Sequence, residues 1–314
     1  MAIRVNSRDI ELLGLIAEHR VLTISQAAAL GQRNIRSLRR RLRVLMEVGL
    51  VQVNPAPLGK KRGRPEGLVS LSDGGVVHLK DAGILDRDTP HDQILAVKLP
   101  FRHQLLVNDF RVTLAEMTQV VPAVEVRFLA PTSPFVSRVE GDRSSLCERF
   151  ENPDLSGDWI DFTPDGVFML THREEDRPLL FFLEADRGTE ILASPKRTRG
   201  DFRRKILNYH AAYRLRRYRR YEQVWSRRFQ GFRLLILAHS EARMAGLCRL
   251  VRDMPPSDYI HATERGRMMT AGGWAKIWVK GGRTDGPRHS ILGARLPKPA
   301  PTPSRPASST PFPN

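Results

Sequence analysis

The sequence predicts an α+β fold in two parts, followed by a disordered tail. Residues 1–85 show the apolar spacing of helices, and residues 100–290 alternate between strand-like and helix-like segments that indicate a mixed central sheet. The last twenty residues, 295–314, are rich in proline, which is typical of disorder. A chain of 314 residues with 41% hydrophobic residues is long enough for two domains with separate cores. We therefore expect domains at 1–85 and 100–290, joined by a linker at 86–99.

The composition excludes several classes of protein. No stretch of about 18 apolar residues occurs, so we expect no membrane span. The first residues lack the apolar core of a signal peptide. Two cysteines, Cys147 and Cys248, are too few for a disulfide scaffold or a four-cysteine zinc site. We expect a cytoplasmic, nucleoid-associated protein.

The formal net charge of +17 is concentrated in two segments. Residues 33–64 carry ten Lys/Arg and one acid, whereas residues 196–230 carry thirteen Lys/Arg and two acids. The rest of the chain is slightly acidic. Two basic patches of this kind indicate a polyanionic partner, and nucleic acid is the leading candidate.

The N-terminal part contains three predicted helices. Asn6 or Ser7 is expected to cap the first, and Thr23 the second, which Gly31 ends. The third helix runs from about residue 34 to residue 48, with apolar residues at helical spacing on one face. Two short strands follow at 50–53 and 68–71, and another helix is expected from 72 to 83.

Three helices followed by a two-stranded hairpin is the order of a winged helix-turn-helix, whose third helix enters the major groove. The arginines that would read double-stranded DNA from this helix are Arg33, Arg36, Arg39, Arg40 and Arg43. The loop between the strands carries Lys61, Arg62 and Arg64, and its Arg-Gly-Arg-Pro run resembles the core of an AT-hook, which lies in an A·T-rich minor groove. A solvated basic loop is the alternative.

The second part begins with a predicted helix at 101–118 and a strand at 123–129, and residues 130–157 are expected to be irregular. The remaining predicted elements are strands at 159–170 and 179–186, a long basic helix at about 200–222, a buried parallel strand at 233–240, a helix at 241–254 and a strand at 274–280.

The hairpin formed by the strands at 159–170 and 179–186 carries the residues with the most chemical information. Its turn is expected between Glu174 and Glu175, so the numbers of paired residues sum to 349. Asp165 then lies opposite Glu184, with Cβ atoms about 4.5–5.5 Å apart. Two facing carboxylates need a compensating cation or a raised pKa. Mg²⁺ or Mn²⁺ fits, because Mg²⁺ is held by one or two carboxylates together with water and phosphate. Asp186, two residues further on, is expected on the same face.

Pro164-Asp165 followed by Glu184 on the next strand resembles the core of PD-(D/E)xK nucleases, whose order is also helix, three strands, helix, strand. The resemblance implies that Asp165 and Glu184 hold the metal ion, which activates water, and that a lysine assists the nucleophile. Asp186 stands where the family has this lysine, so Lys205 on the following helix is the candidate replacement. Asp165, Glu184, Asp186 and Lys205 form the candidate catalytic set.

Structural roles remain open for the same residues. Pro-Asp-Gly is a common turn signal, so Asp165 is equally compatible with shaping a turn. Glu184 and Asp186 are also compatible with a structural salt-bridge network to Arg187, Arg203 or Arg204. His103, Asn108 and Asp109 on the helix at 101–118 are expected to be packing or surface groups rather than ligands.

Residues 214–228 interleave aromatic residues with arginines. Tyr218, Tyr221 and Trp225 are three and four residues apart, so one face is expected to pack on the domain. Arginines here and earlier in the segment would face DNA phosphates or water, and the candidates are Arg203, Arg204, Arg216, Arg217 and Arg220.

A broader resemblance covers most of the chain. The winged helix, the His-Gln-Leu-Leu-Val-Asn-Asp run at 103–109, Pro164-Asp165-Gly166, the run at 182–189 and the helix with Lys205 and Tyr209 are together similar to the replication-relaxation family of plasmids and mobile elements. The resemblance implies a DNA-binding protein that acts in DNA replication, relaxation or transfer. A Mg²⁺-dependent endonuclease or nickase and a transcription regulator are the alternatives. A homodimer or other mobile-element proteins are the expected protein partners.

Overall fold

The computed structural model describes residues 5–55, 66–95, 101–139, 143–173, 177–194 and 201–293. Four sets of expectations lie outside the described residues. These are the DNA contacts of Lys61, Arg62 and Arg64, the end of the linker at 96–99, the turn between Glu174 and Glu175, and the tail at 295–314.

The first two N-terminal helices begin at the predicted caps, and the third begins close to the predicted residue 34. They are α1 (Ser7–His19), α2 (Ile24–Leu30) and α3 (Ile35–Glu47). Asn6 caps α1 in a capping box, and Thr23 does the same for α2. The Asn34 side chain accepts hydrogen bonds from two backbone amides in the first turn of α3. The side chains of these capping residues therefore determine where the helices start.

A three-stranded antiparallel sheet completes the N-terminal part, in the order β1-β3-β2. Its strands are β1 (Val21–Thr23), β2 (Val51–Pro55) and β3 (Gly67–Leu71), and the helix α4 (Asp73–Asp81) follows. The hairpin of β2 and β3 was predicted, but β1 was not, because three residues are too short to show a strand period. Leu38, Leu42 and Leu45 of α3 pack into a core shared by the helices and this sheet.

The first part of the expected linker packs against the N-terminal part. Residues 91–93 form a 3₁₀ turn, and Ile94 is buried in the N-terminal core. The Arg20 guanidinium donates hydrogen bonds to the carbonyls of Asp92 (3.2 Å) and Leu95 (2.6 Å). These contacts fix residues 91–95 rather than leaving them as a free tether.

The second part contains a mixed seven-stranded sheet in the order β14-β13-β12-β11-β10-β9-β4. Its strands are β4 (Val124–Leu129), β9 (Gly166–His172), β10 (Leu179–Asp186), β11 (Arg233–Ala238), β12 (Ile260–Glu264), β13 (Trp278–Lys280) and β14 (Arg288–His289). The helices that cover it are α5 (Phe101–Val120), α6 (Phe202–Arg214), α7 (Arg220–Trp225), α8 (Glu241–Arg252) and α9 (Arg265–Ala271). Helices α5 and α9 pack on one face of the sheet, and α6, α7 and α8 pack on the other.

The predicted single strand at 159–170 is wrong. Its first part is β8 (Trp159–Phe162), which pairs with β7 (Glu148–Glu151) in a separate two-stranded sheet, and its second part belongs to β9. Pro164 lies at the break, where it cannot donate a ladder hydrogen bond. Residues 130–157 are also more ordered than expected, because β7 and a short pair, β5 (Arg138–Val139) and β6 (Arg143–Ser144), lie there.

The predicted long basic helix at about 200–222 is also wrong. Helix α6 ends at Arg214, Arg216 has a left-handed backbone with φ of 54°, and a 3₁₀ turn leads into α7. Tyr218 of the 3₁₀ turn and Tyr221 of α7 are both buried on either side of Arg220.

Candidate functional site

The hairpin of β9 and β10 has the register that the sequence predicted. Leu179 lies opposite Leu170, and Leu183 lies opposite Gly166, so the residue numbers of each pair sum to 349. Asp165 is one residue beyond the last pair, next to Glu184. Its backbone amide donates to the Leu183 carbonyl (3.0 Å), and its Oδ2 accepts from the Ala185 amide (2.8 Å). The backbone of β10 therefore fixes the Asp165 carboxylate at the rim of the sheet.

Helix α6 supplies two donors to the Glu184 carboxylate. Lys205 Nζ lies 2.9 Å from Oε2, and the Tyr209 hydroxyl donates to Oε1 at 2.6 Å. Lys205 and Tyr209 are four residues apart, so both point from the same face of the helix. The Asp201 side chain caps α6 through the amide of Arg204 (2.8 Å) and so fixes where this face begins. The carboxyl of Glu184 is 2% exposed, so these two donors stand in for water.

The charged groups of this cluster shift one another's pKa values. Burial is the largest cause that raises the pKa of Glu184, the Asp165 carboxylate raises it further, and Lys205 and Tyr209 oppose the shift. Burial by itself would lower the pKa of Lys205, but the carboxylates of Glu184, Asp165 and Glu190 outweigh it and raise that pKa. Lys205 is therefore held as a cation. The ionised form of its partner Glu184 is destabilised by burial, because the carboxylate has lost its contact with water.

His103 joins the cluster from the first turn of α5. Its Nε2 lies 2.9 Å from Asp165 Oδ1. Burial would lower the pKa of His103, but the hydrogen bond and charge of Asp165 outweigh it and raise the pKa. We had expected His103 to pack or to face solvent. Sixty-two residues separate the two partners, and no local pattern in the sequence joins them.

Asp186 faces the same side of β10 as Glu184, as the strand period predicted, but it has other partners. Arg243 of α8 forms an ion pair with its carboxylate, and the Gly188 amide donates to Oδ1 at 2.9 Å. Within the described ranges, no hydrogen bond joins Asp186 to Lys205 or to Glu184. The structure brings Asp165, Glu184 and Lys205 together, whereas Asp186 belongs to a structural ion pair.

Asn108 and Asp109 join the two parts of the chain, which agrees with the packing role expected for them. Asn108 Nδ2 donates to the carbonyl of Val21 (2.7 Å). Asp109 accepts from Gln26 Nε2 of α2 (2.8 Å) and pairs with Arg265 of α9 (2.6 Å). Helix α5 therefore contains His103 of the cluster and also the residues that contact the N-terminal part.

The donor chemistry of the cluster suits a hard divalent cation. Asp165 and Glu184 offer two carboxylates, which is the number that Mg²⁺ takes together with water and phosphate. Each of the four oxygens already accepts one hydrogen bond, and a carboxylate oxygen has a second lone pair. In the part of the chain that the structure describes, no group of three or more His, Cys, Asp and Glu side chains could hold a metal ion.

The arginines of α3 form an exposed surface. Arg36, Arg39, Arg40 and Arg43 are exposed, and none has an ion pair with a described residue. Arg33, just before the helix, donates to the Arg8 carbonyl (2.6 Å), so part of its guanidinium is occupied. We define Arg36, Arg39, Arg40 and Arg43 as the α3 surface.

The arginines around α6 and α7 are arranged differently. Arg204 lies 3.2 Å from Asp158. Arg217 and Arg220 lie 3.7 and 3.3 Å from the buried carboxylate of Glu148. Arg203 and Arg216 are exposed and have no ion pair among the described residues. Tyr218, Tyr221 and Trp225 are buried, as their spacing predicted.

Comparison with known proteins places the chain in a family. The model of the replication-relaxation family matches residues 13–231, which is more than half of the chain and includes α3, both carboxylates, Lys205 and Tyr209. The chain belongs to the replication-relaxation family. No curated protein matches this replication-relaxation chain.

A similar solved structure is that of a zinc-responsive MarR family member, ZitR of Lactococcus lactis. It is 18% identical, the match covers 37% of this chain and 78% of that chain, and the TM-score is 0.22. A score this low says nothing about the fold of the replication-relaxation chain. No helix in the described ranges is long and apolar enough to cross a membrane.

Proposed function

We propose that this replication-relaxation protein binds double-stranded DNA of a plasmid or mobile element and acts in its replication, relaxation or transfer. The α3 surface is the observation that carries the proposal. Four exposed arginines lie on a helix whose opposite face is fixed in the core by Leu38, Leu42 and Leu45. Arginine binds phosphates and guanine edges through its forked guanidinium group.

The position of α3 in the order of elements supports the proposal. It is the third helix before an antiparallel hairpin, which is where a winged helix-turn-helix has its recognition helix. Arg41, on the inner side of α3, binds the buried Asp9 of α1 with Nε 2.6 Å from Oδ1. This pair ties α3 to α1 and leaves the four surface arginines pointing away. Lys61, Arg62 and Arg64 in the loop between β2 and β3 would add a minor-groove contact.

A second DNA contact near α6 is part of the proposal. Arg203 and Arg216 are exposed there. Arg204, Arg217 and Arg220 have acidic partners, but a guanidinium has five N–H donors and can contact a phosphate as well. We expect this contact to be weaker than that of the α3 surface, because the acids offset part of its charge.

Duplex binding is tested by removing the α3 surface. The variant R36A/R39A/R40A/R43A should bind duplex DNA about a hundredfold more weakly or worse, because each base-contacting arginine contributes about 1–3 kcal/mol. The matched control removes the same charge elsewhere, in R87A/R173A/R249A/R252A, whose four arginines are all exposed. Equal losses in the two variants would reject α3 as the DNA-binding surface.

A second candidate function is Mg²⁺-dependent cleavage or nicking of DNA, and the observation that favours it is the cluster of Asp165, Glu184 and Lys205. The order α5, β4, β9, β10, α6, β11, with β5 to β8 as an insertion, is also the order of PD-(D/E)xK nucleases. A bound Mg²⁺ would polarise the phosphate and lower the pKa of a water molecule.

The residues of the cluster have separate roles in this candidate function. Lys205 holds a positive charge beside Glu184, and Tyr209 fixes the orientation of that carboxylate. His103 and the Ala185 amide fix the two oxygens of Asp165. Lys205 side-chain exposure is 27%, so its ammonium can also approach a phosphate oxygen at the rim. Asp186, bound by Arg243, would support the end of β10.

A plasmid-nicking assay with and without Mg²⁺ or Mn²⁺ tests this candidate. D165N and E184Q should each abolish metal-dependent nicking, whereas D253N, at an exposed position directly after α8, should leave it unchanged. Nicking that survives in both D165N and E184Q would remove the cluster from the reaction. If the unmodified protein binds duplex DNA but does not nick it, the cleavage candidate is rejected and DNA binding remains the proposed function.

A further inference from the structure

A large cavity lies at the opposite edge of the sheet from the carboxylate cluster. Strands β10, β11 and β12 are parallel, and Glu184 and Asp186 lie near the carboxyl end of β10. The cavity, of about 1530 Å³, is lined by the residues where these three strands begin, including Leu179, Arg233 and Tyr259. It is therefore separate from the candidate nuclease site.

Cations outnumber acids in this cavity. Arg177, Arg219, Arg228 and Arg233 line it, and none of them has an ion pair with a described residue. Two acids also line the cavity. The local charge of the lining is positive, which favours an anionic ligand.

Both acids of the lining already have partners. Asp258 forms an ion pair with Arg283, which is outside the cavity lining. Glu222 Oε1 accepts a hydrogen bond from the Phe229 amide at 3.0 Å. Neither acid therefore neutralises the four arginines by direct contact.

Arg233 is the most deeply placed cation of the cavity. Its guanidinium lies over the ring of Phe181, 5.8 Å from the centroid, and makes one long hydrogen bond of 3.5 Å to the Ile291 carbonyl. Burial lowers the pKa of Arg233. A partly buried guanidinium without a carboxylate partner is costly, and an anion in the cavity would offset that cost.

The walls of the cavity include aromatic rings. Tyr213 and Tyr259 line it, are each partly exposed, and stack with ring centroids 4.6 Å apart. The Tyr259 hydroxyl lies 2.6 Å from His210 Nδ1, which fixes that ring. The absence of a side chain at Gly231 lets the Tyr213 hydroxyl pack against the backbone, because a Cβ there would lie 2.8 Å from it. Arginines beside partly exposed aromatic rings suit phosphates and bases together.

The size and shape favour a chain over a single nucleotide. Pockets for small ligands usually measure about 300–1,000 Å³, and this cavity is larger. It continues into a second depression of about 480 Å³ that shares Arg219 and Arg228 and adds Arg227 and Ser226. The two depressions share Arg219, Glu222 and Arg228, and together they form a groove whose lining carries more arginines than acids.

We propose that this groove, lined by Arg177, Arg219, Arg228 and Arg233, binds a segment of single-stranded DNA through its phosphates. It is separate from the α3 surface, which would bind duplex. The inference deepens the proposed function, since a replication or relaxation protein handles both forms of DNA, and it is tested by its own binding measurement.

The test measures binding of fluorescent oligo(dT) and of a duplex by anisotropy, over about 50 to 200 mM salt. R219A/R228A should bind oligo(dT) at least tenfold more weakly, and its slope of log affinity against log salt should fall by about 1.4, or about 0.7 per lost phosphate contact. Duplex affinity should change less than threefold. The control R87A/R249A, which removes two exposed arginines outside the groove, should bind oligo(dT) like the unmodified protein.

A second variant tests the groove without deleting a side chain, so that a loss of binding is not explained by misfolding. Gln230 is exposed on the groove lining, and Q230E should weaken oligo(dT) binding without removing any side-chain contact. Several results would overturn the proposal. These are no oligo(dT) binding by the unmodified protein, equal binding by R219A/R228A and its control, displacement of the strand by stoichiometric ATP or pyrophosphate, or loss of oligo(dT) binding in the α3-surface variant. The proposed duplex function fails separately, if that α3-surface variant still binds duplex.

Discussion

The two basic segments of the chain have similar charge but different surroundings. On α3, four of the arginines are exposed and free of ion pairs with described residues. Around α6 and α7, Arg204, Arg217 and Arg220 bind acids, and Arg214 binds Asp154 at 2.8 Å. The charge count of a segment therefore does not tell how many of its cations can contact DNA.

The difference comes from residues far away in the sequence. Glu148, Asp154 and Asp158 belong to the insertion around β7 and β8, which packs beside α6. Among the residues that the structure describes, Asp9 is the one acid paired with an arginine of α3, and it binds Arg41 on the inner side. We infer that α3 is available for a polyanion, whereas four of the thirteen cations of the second segment bind acids of the insertion.

The largest effect is expected when Glu148 is removed. Its carboxyl is 1% exposed and serves both Arg217 and Arg220. E148A should lower the free energy of unfolding by about 2 kcal/mol, less than the 3–5 kcal/mol of a fully buried pair because both arginines are more than a third exposed. Chemical denaturation measures this change.

E148A should also leave arginines of the second segment without an acidic partner among the described residues, as the exposed arginines of α3 are. Arg217 and Arg220 would lose their acidic partner, while Arg220 would keep its hydrogen bonds to the carbonyls of Ser145 and Cys147. The uncompensated charge should strengthen duplex binding and steepen its salt dependence. The matched control is E151A, which removes the same charge from an exposed position on β7. If E148A and E151A increase DNA affinity equally, general charge rather than the release of Arg217 and Arg220 explains the gain.

A smaller effect is expected at Asp9. Burial would raise the pKa of Asp9, but Arg41 and the Asn6 amide outweigh it, so the pKa is lowered. The stabilisation is therefore present above the unfolded pKa of 3.8 and lost as pH falls through the lower folded pKa. D9N should lower the free energy of unfolding by about 1–2 kcal/mol near neutral pH, and the difference should shrink in acid.

Glu11 provides the control for Asp9. It lies on the same helix, and its side chain is 73% exposed. E11Q should change the free energy of unfolding by less than about 0.5 kcal/mol. A loss in E11Q as large as in D9N would show that the charge of α1, rather than the Asp9–Arg41 pair, stabilises α3.

The smallest effect concerns the pair of His103 and Asp165. The folded pKa of His103 is raised, so the pair stabilises the protein fully below the unfolded pKa of 6.5, and this stabilisation is lost as pH rises through the folded pKa. NMR titration should show the raised pKa, and D165N should lower it. Buried His19 is an internal reference, because burial and Arg111 lower its pKa well below the usual value. An unshifted His103 in both proteins would contradict the pairing.

The sequence predicted the features that depend on local patterns. Capping residues indicated the starts of α1 and α2, apolar spacing indicated α3, and the turn centre indicated the register that places Asp165 beside Glu184. The choice of Lys205 rested on the family resemblance, and the structure places this lysine against Glu184. Each of these features can be predicted from a few neighbouring residues or from a known motif.

The features that the sequence did not predict depend on distant partners. Glu148 decides which arginines are free, and no pattern near Arg217 or Arg220 indicates it. His103 reaches Asp165 through the packing of α5, and Asp186 pairs with Arg243 rather than with a neighbouring arginine. The break after α6 occurs at Arg216, in a segment without glycine or proline, so no local sequence signal indicates it.

Salt dependence of duplex binding tests most directly whether α3 is the DNA-binding surface. The slope of log affinity against log salt should fall by up to about 3.6 in R36A/R39A/R40A/R43A, or about 0.9 for each arginine that contacts a phosphate. The control R87A/R173A/R249A/R252A should keep the slope of the unmodified protein. An unchanged slope in the α3 variant, or an equal fall in the control, would contradict the account.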